Sequence, residues 1–186
     1  MNWNIVQLAE VAPSHWRNGG GVTRELLAWP DSADWVWRMS VAEVAASGPF
    51  SRFDGVRRWF AVLCGAGVRL TIDGHLHELT RRSEPLCFDG ASAVDCQLLE
   101  GATQDFNLML RGNRASAQME RVSGQLKLDT SVSLVVAVYA MEAGATVFSR
   151  HETLTIPAHS LAWRKLPANA AVRVESADAL WMEIAA

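Results

Sequence analysis

The sequence predicts an all-β protein, a barrel or a sandwich, and three observations support this fold class. Many short segments alternate apolar and polar residues with a period of two, which is the pattern of half-buried strands. Turn-forming residues separate these segments at short intervals along the whole chain. No long stretch has the three- and four-residue apolar spacing of an amphipathic helix.

The strands can be assigned in chain order from this alternation. Residues 35–42, 68–72 and 75–80 alternate most clearly, and Asp73-Gly74 between the last two is a strong hairpin signal. The other candidate strands are residues 59–64, 93–99, 106–110, 131–140, 153–156, 160–165, 171–175 and 180–184.

A weak internal repeat predicts two halves of similar topology. Two hairpins of low overall identity begin in a similar way, at residues 66–70 and 143–147. The polar, glycine-containing stretch 111–117 is the predicted linker. We therefore expect an N-terminal half at 1–112 and a mainly structural C-terminal half at 113–186, packed as effectively one unit. The ligand pocket is expected in the N-terminal half, since that half carries the unusual polar segments.

Composition and charge exclude several classes of protein. Hydrophobic residues make up 49% of the chain, enough for a substantial core. No apolar run approaches the roughly 18 residues of a membrane helix, and the N-terminus lacks a signal-peptide pattern. We expect a cytoplasmic protein with no membrane partner. The net charge of −3 and the isolated pairs Arg57-Arg58 and Arg81-Arg82, interpreted as solvated strand ends, argue against a nucleic-acid partner.

The cysteines indicate neither disulfides nor zinc. Cys64, Cys87 and Cys96 are odd in number, lie in apolar segments and form no Cys-x-x-Cys pair. Buried, reduced thiols are the expected state.

The stretch Asn18-Gly19-Gly20-Gly21 is the most unusual segment, and residues 23–25 follow it at the start of a strand. Thr23 and Glu25 share one face of this strand, and Arg24 points to the other. One interpretation is a small-molecule site with a backbone cradle and Arg24 as carboxylate anchor. The other is a glycine-rich turn in which Arg24 pairs with an acid such as Glu43.

Two further segments carry candidate side chains. The segment 48–55 contains Phe50 and Phe53, which form either a pocket lid or a hydrophobic plug in a barrel mouth. Asp105 and Asn107 share a face of one strand and are either ligand partners or an internal polar network.

His75 and His77 have a spacing that can chelate a metal on one strand face. Their following acids, Glu78 and Glu84, are wrongly spaced for a metal-binding cupin, and His75 abuts the predicted hairpin turn. We therefore expect no metal and no other cofactor.

These segments together resemble the HutD/Ves family. The resemblance follows the family's order over roughly residues 3–185. It is carried by Trp16-x-Asn18-Gly19-Gly20-Gly21-x-Thr23-Arg24-Glu25, by residues 37–40 with Glu43, and by residues 48–53, 88–90 and 105–109. The resemblance implies a bicupin, two jelly-roll β-barrel cupin halves in one chain, without the cupin metal ligands. It also implies a role linked to histidine utilisation, with formylglutamate as ligand, and it supplies no catalytic residue.

The resemblance carries over a candidate pocket. Its residues are Asn18, Thr23, Arg24, Glu25, Ser40, Glu43, Phe53, Asp105 and Asn107. The first hypothesis is a sensor that binds a small carboxylate or acyl amino acid. The alternatives are a metal-independent isomerase or hydrolase with Glu25 or Glu43 as general base, and a metal cupin using His75 and His77. A homodimer is expected by analogy with other cupins.

Overall fold

A computed structural model of the chain describes residues 2–112, 115–150 and 152–185. The described residues form strands, one short 3-10 turn at Leu8–Glu10 and no α-helix. The strands are β1 Asn4–Gln7, β2 Ser14–His15, β3 Gly21–Trp29, β4 Trp37–Val44, β5 Gly48–Pro49, β6 Val56–Cys64, β7 Val68–Ile72, β8 His75–Leu79, β9 Leu86–Asp89, β10 Val94–Leu98, β11 Thr103–Arg111, β12 Ser116–Asp129, β13 Leu134–Ala140, β14 Ala145–Ser149, β15 Thr153–Ile156, β16 Ser160–Leu166 and β17 Ala171–Ala185.

The all-β prediction is confirmed, and the main omission from the predicted strands is β12. Every alternating segment contributes to a strand, and the hairpin at Asp73-Gly74 joins β7 to β8 with φ values of 47° and 85°. The fourteen-residue strand β12 escaped prediction because its sequence is mostly polar. It forms because it pairs with β17 from Ser116 to Asp129, with a register shift between Val122 and Gly124.

The chain divides into two compact units. One, the 12–112 unit, begins at Ala12 and runs to Gly112 among the described residues, and the other contains the residues up to Val11 and those from Ala115 onward. The predicted boundary lies close to this division, and Asn113 and Arg114 of the predicted linker lie outside the described residues. The predicted first half also began at residue 1, whereas β1 pairs with β16 in the second unit.

The 12–112 unit consists of two antiparallel sheets. The six-stranded sheet has the order β2-β3-β4-β11-β6-β9, and the four-stranded sheet has the order β5-β10-β7-β8. Apolar side chains of both sheets meet in a shared core. These residues are Val44, Phe60, Val62, Val68, Leu70, Ile72, Leu79, Val94 and Cys96. The face of the six-stranded sheet that packs on the four-stranded sheet is called the inner face below.

The cross-strand register determines which other side chains share the inner face with Val44 and Phe60. Directly opposed residues point to the same side of a sheet, and residues two apart on a strand do likewise. Register therefore places on the inner face the side chains of Thr23, Glu25, Arg38, Ser40, Arg58, Asp105, Asn107 and Met109. Polar residues are thus concentrated on a surface that elsewhere forms apolar core.

The other unit is built on a single seven-stranded sheet. Its main path is β1-β16-β13-β17-β14-β15, with β12 paired to β17. Its core consists of aliphatic residues, alanine and Trp181, and includes Val136, Val174 and Ile156.

None of the helical segments among the described residues has the length and apolar character required to cross a membrane.

Candidate functional site

Two arginines on the inner face form the centre of the candidate site. Arg38 on β4 and Arg58 on β6 both lie opposite Met109 on the intervening strand β11. Their side chains therefore share one face, separated by a single strand. Arg58 is only 5% exposed, and Arg38 is partly buried. A pair of guanidinium groups this close to a core is unusual, because burying charge is costly unless it is paired.

Aromatic rings surround both guanidinium groups. The Cζ atom of Arg58 lies 5.5 Å from the ring centroid of Phe50, 5.6 Å from that of Phe53 and 5.1 Å from that of Phe88. The Cζ atom of Arg38 lies 5.8 Å from the centroid of Phe53 and 5.1 Å from that of Trp35. Phe53 thus contacts both cations. Cation–π attraction stabilises these charges, although it supplies no hydrogen-bond acceptor.

The polar partners of the two arginines leave much of their hydrogen-bonding capacity unused. Arg58 Nη2 donates to Asn107 Oδ1 at 2.9 Å, and Arg58 forms no ion pair within the described part of the chain. Arg38 Nη1 lies 3.7 Å from Glu25 Oε2, and its Nη2 lies 3.2 Å from Met109 Sδ. The Nε atoms of both arginines are buried without a hydrogen-bond partner among the described residues.

Burial lowers the pKa of both guanidinium groups, and the site is cationic because it contains two arginines. Burial, with the charge of Arg38 as the second cause, lowers the pKa of Arg58 to about 10. Burial is also the main cause that lowers the pKa of Arg38. The charge of Glu25 opposes this effect, and the charge of Arg111 adds to it. Both groups remain charged at neutral pH. An anion entering this site would gain two under-satisfied donors in a poorly solvated setting.

The structure brings together most of the predicted site residues. Glu25, Ser40 and Asn107 lie on the inner face beside the two arginines, and Phe53 contacts both of them. Thr23 shares the face but accepts a hydrogen bond from Trp16 Nε1 at 2.8 Å. The register places Thr23 and Glu25 on one face and Arg24 on the other, as the alternation predicted.

Arg24 and Glu43 lie on the opposite face of the same sheet. Arg24 pairs in register with Val41 and forms an ion pair with Glu43 Oε1. This is the arrangement of the second sequence interpretation, in which Arg24 has an internal partner. The physical reason is the alternation of strand β3, which turns Arg24 away from its neighbours Thr23 and Glu25.

The glycine-rich stretch behaves as a tight turn in this structure. A Cβ atom on Gly21 would lie 2.3 Å from the Glu43 carbonyl oxygen, so only glycine permits this approach. The amide of Gly20 donates to Asn18 Oδ1 at 3.0 Å, and the amide of Gly19 donates to the Trp16 carbonyl. These two amides are occupied within the turn, and Asn18 is an exposed member of it.

Asp105 is the most deeply buried acid of the predicted set. Thr103 Oγ1 donates to its Oδ2 at 2.8 Å, while its Oδ1 is buried without a partner in the described chain. Burial raises the pKa of Asp105 to about 7, against a smaller opposing effect of the Thr103 hydrogen bond. The sequence left open whether Asp105 is a ligand partner or part of an internal polar network, and these contacts favour the network.

Sequence reasoning missed Arg58, and its interpretation as a solvated strand end was wrong. Arg57 is exposed as expected, but Arg58 points inward beside Phe60. No sequence signal separates the two arginines, because residues 59, 61 and 63 on the face of Arg57 are as apolar as Phe60 and Val62 on the face of Arg58. Arg38 shares its face with Ser40 and Ala42, which follows from the alternation of residues 35–42, but its role as an inner-face cation was not inferred.

The histidines and cysteines lie apart from the arginine pair. His75 is exposed at the start of β8, and no group of three or more potential ligands in the described ranges is placed to hold a metal. All three cysteines are free. Only Cys96 is fully buried, with a pKa raised to about 12 chiefly by burial, whereas Cys87 is exposed, contrary to expectation.

Comparison with known proteins identifies a family. A family model named HutD matches residues 8–182. An uncharacterised 21.2 kDa protein in the hutC 3′ region of Pseudomonas putida is 38% identical over 125 residues, which is 65% of either chain. Protein Ves of Escherichia fergusonii is 37% identical over 106 residues, 56% of either chain. The aligned region thus spans less than two thirds of these relatives' length.

Solved structures extend the similarity over nearly the whole chain. A conserved protein of unknown function from Pseudomonas aeruginosa PAO1 is 31% identical with a TM-score of 0.85, over 99% of this chain and 98% of that one. HutD from Pseudomonas fluorescens SBW25 is 27% identical with a TM-score of 0.84, over 98% of both chains. A Bacillus subtilis oxalate decarboxylase mutant, 10% identical with a TM-score of 0.63 over 97% of this chain and 76% of that one, shares the fold alone. The fold is therefore all-β and cupin-like.

Proposed function

The chain belongs to the HutD family, and from this premise we propose that its 12–112 unit binds a small carboxylate-bearing molecule. An acyl amino acid such as formylglutamate is the proposed ligand, and modulation of histidine utilisation is the proposed role. One observation carries the binding proposal: Arg38 and Arg58 share the inner face, and the one carboxylate within ion-pair distance of either in the described chain is that of Glu25, 3.7 Å from Arg38 Nη1. A bound carboxylate would supply the acceptors that both guanidinium groups lack.

Each part of the site has a role in this proposal. Arg58 offers unpaired donors in a planar fork suited to a carboxylate, and Asn107 holds that fork in place. Arg38 is the anchor for a second carboxylate. Phe50, Phe53 and the other rings contact the aliphatic part of the ligand and exclude water, which strengthens the ionic contacts.

The three acids of the predicted pocket, Glu25, Glu43 and Asp105, do not all oppose an anionic ligand. Glu43 lies on the other face of the sheet, beside Arg24. Asp105 is bonded to Thr103, and its raised pKa of about 7 keeps it partly protonated near neutral pH. Glu25 is the remaining acid near the arginines. This charge distribution supports a carboxylate ligand.

We further propose that the two units are the two halves of a bicupin. A glycine with positive φ precedes a hairpin in each unit, Gly67 before β7–β8 and Gly144 before β14–β15. In both cases an added Cβ would collide with the carbonyl oxygen of the hairpin's last residue, Leu79 or Ile156. This equivalence supports an internal repeat. The proposed role in histidine utilisation also implies action in the cytoplasm.

A thermal-shift screen read by tryptophan fluorescence tests the binding proposal. The candidates are formylglutamate, glutamate, urocanate, histidine and unrelated carboxylates. A ligand that binds only the folded state at about 100 times its Kd adds about 2.7 kcal/mol of stability. We expect formylglutamate to raise the Tm of the wild-type protein.

Two matched variants locate the site. Arg58→Gln should abolish the shift, whereas Arg24→Gln should retain it because Arg24 faces the opposite side of the same sheet. Circular dichroism of both variants verifies folding. If the Tm shift persists in Arg58→Gln and disappears in Arg24→Gln, then Arg24, and not Arg58, binds the ligand carboxylate. No shift with any compound would contradict the proposed ligand class.

A further inference from the structure

Glu25 is the acid that lies within ion-pair distance of the arginine pair in the described chain. Its Oε2 atom lies 3.7 Å from Arg38 Nη1, and its Oε1 atom accepts a 2.5 Å hydrogen bond from Ser32 Oγ. The side chain is 33% exposed. Ser32 therefore holds Glu25 at the edge of the site, where its second oxygen faces Arg38.

Glu25 lies within ion-pair distance of Arg38 but not of Arg58 in the described chain. Its charge raises the pKa of Arg38, whereas burial and the charge of Arg38 lower the pKa of Arg58. The inner-face site thus contains one cation without an acid partner, Arg58, and one whose charge is partly offset. A ligand with one carboxylate can bind that carboxylate to Arg58. A second carboxylate has to share Arg38 with Glu25.

We infer that Glu25 is a specificity-determining residue that sets how strongly the site distinguishes singly from doubly charged carboxylate ligands. The inference rests on the proposed carboxylate-binding function. Like charges held near one cation repel each other, so Glu25 weakens binding of the second carboxylate. Its effect on a ligand with one carboxylate is small, since that carboxylate lies on Arg58.

Formylglutamate and formylglutamine are suitable probes, because they differ only in the replacement of the side-chain carboxylate by a neutral amide. Isothermal titration calorimetry gives Kd for both ligands with the wild-type protein and with Glu25→Gln. We expect Glu25→Gln to tighten formylglutamate binding about fivefold, the size expected for a partly exposed ion pair. Formylglutamine binding should change less than about twofold.

The matched control is Glu43→Gln. Glu43 is also a partly exposed glutamate paired with an arginine of the six-stranded sheet, but on the opposite face. Glu43→Gln should leave the ratio of the Kd values for formylglutamate and formylglutamine unchanged. Ser32→Ala, which frees Glu25 without removing its charge, should shift the ratio in the same direction by a smaller factor, and it provides a second test if Glu25→Gln is poorly folded.

The outcomes separate this inference from the proposed function. If the wild-type protein binds both probes and Glu25→Gln leaves their Kd ratio unchanged, Glu25 has no role in selectivity and the inference is overturned, while the carboxylate site stands. Weaker formylglutamate binding in Glu25→Gln would also overturn it, because Glu25 would then be a direct ligand contact. Absence of binding to both probes in the wild-type protein would contradict the proposed function itself.

Discussion

Arg58 Nη2 donates a 2.9 Å hydrogen bond to Asn107 Oδ1, so the most buried cation of the 12–112 unit is held by a neutral amide. An amide orients a guanidinium group without neutralising it. The positive charge of Arg58 thus remains available to a carboxylate, while its position is constrained by strand β11.

Asn107→Asp should convert this contact into an internal ion pair. The new carboxylate would occupy the donors of Arg58 and compete with any anionic ligand, because charge-assisted bonds are roughly twice as strong as neutral ones. We expect the Kd for formylglutamate to rise at least about tenfold with no loss of folding stability. Calorimetric titration and thermal unfolding measure the two quantities. Unchanged affinity would indicate that the ligand does not contact Arg58.

Arg58→Met should stabilise the protein while removing ligand binding. A buried charge without an acid partner is costly, and replacing buried ionic groups with apolar side chains of similar volume is often neutral or stabilising. Chemical denaturation measures this change in the free energy of unfolding. The control is Arg57→Met, since Arg57 is exposed on the opposite face and its replacement should have little effect on either property. A large loss of stability in Arg58→Met would mean that the guanidinium group is structurally satisfied.

Asp105 should make the free energy of unfolding depend on pH between about 4 and 7. Burial raises its pKa from 3.8 to about 7 in the folded protein. The folded state therefore keeps a proton that the unfolded state releases, so stability is greatest below the unfolded pKa and is lost as pH rises through the folded pKa. The full shift corresponds to a loss on the order of 4 kcal/mol.

Asp105→Asn removes this titration and should flatten the pH profile in that window. Denaturation at a series of pH values measures the difference between the variant and the wild-type protein. Asp95→Asn is the control, because Asp95 is exposed on strand β10. An equal pH slope in the wild-type protein and in Asp105→Asn would show that Asp105 ionises normally.

Gly21→Ala should be far more damaging than Gly19→Ala. The added Cβ of residue 21 would lie 2.3 Å from the backbone oxygen of Glu43, and a backbone atom yields less readily than a side chain. We expect a loss of about 2–4 kcal/mol on the scale of severe overpacking. Gly19 has open space and a φ of 71°, so alanine there should cost about 1–2 kcal/mol from backbone strain alone. Equal losses in urea denaturation would contradict this account.

Short-range patterns in the sequence determined the fold class and several of the strands. Period-two alternation and the Asp73-Gly74 turn depend on neighbours along the chain, and the structure confirms both. Alternation also placed Thr23 and Glu25 on the face opposite Arg24, as the register shows. The family assignment from the first motif and the segments that follow it is confirmed by the match over residues 8–182.

The tertiary structure decided which of the polar residues meet. Arg38 and Arg58 are distant in sequence, and they become neighbours only because β4 and β6 both pair with β11 in one register. The same long-range pairing buries Arg58, surrounds it with rings from separate loops and strands, and turns Arg24 toward Glu43 instead. No local pattern contains this register, because it depends on how strands that are far apart in the chain align when their apolar faces are buried together.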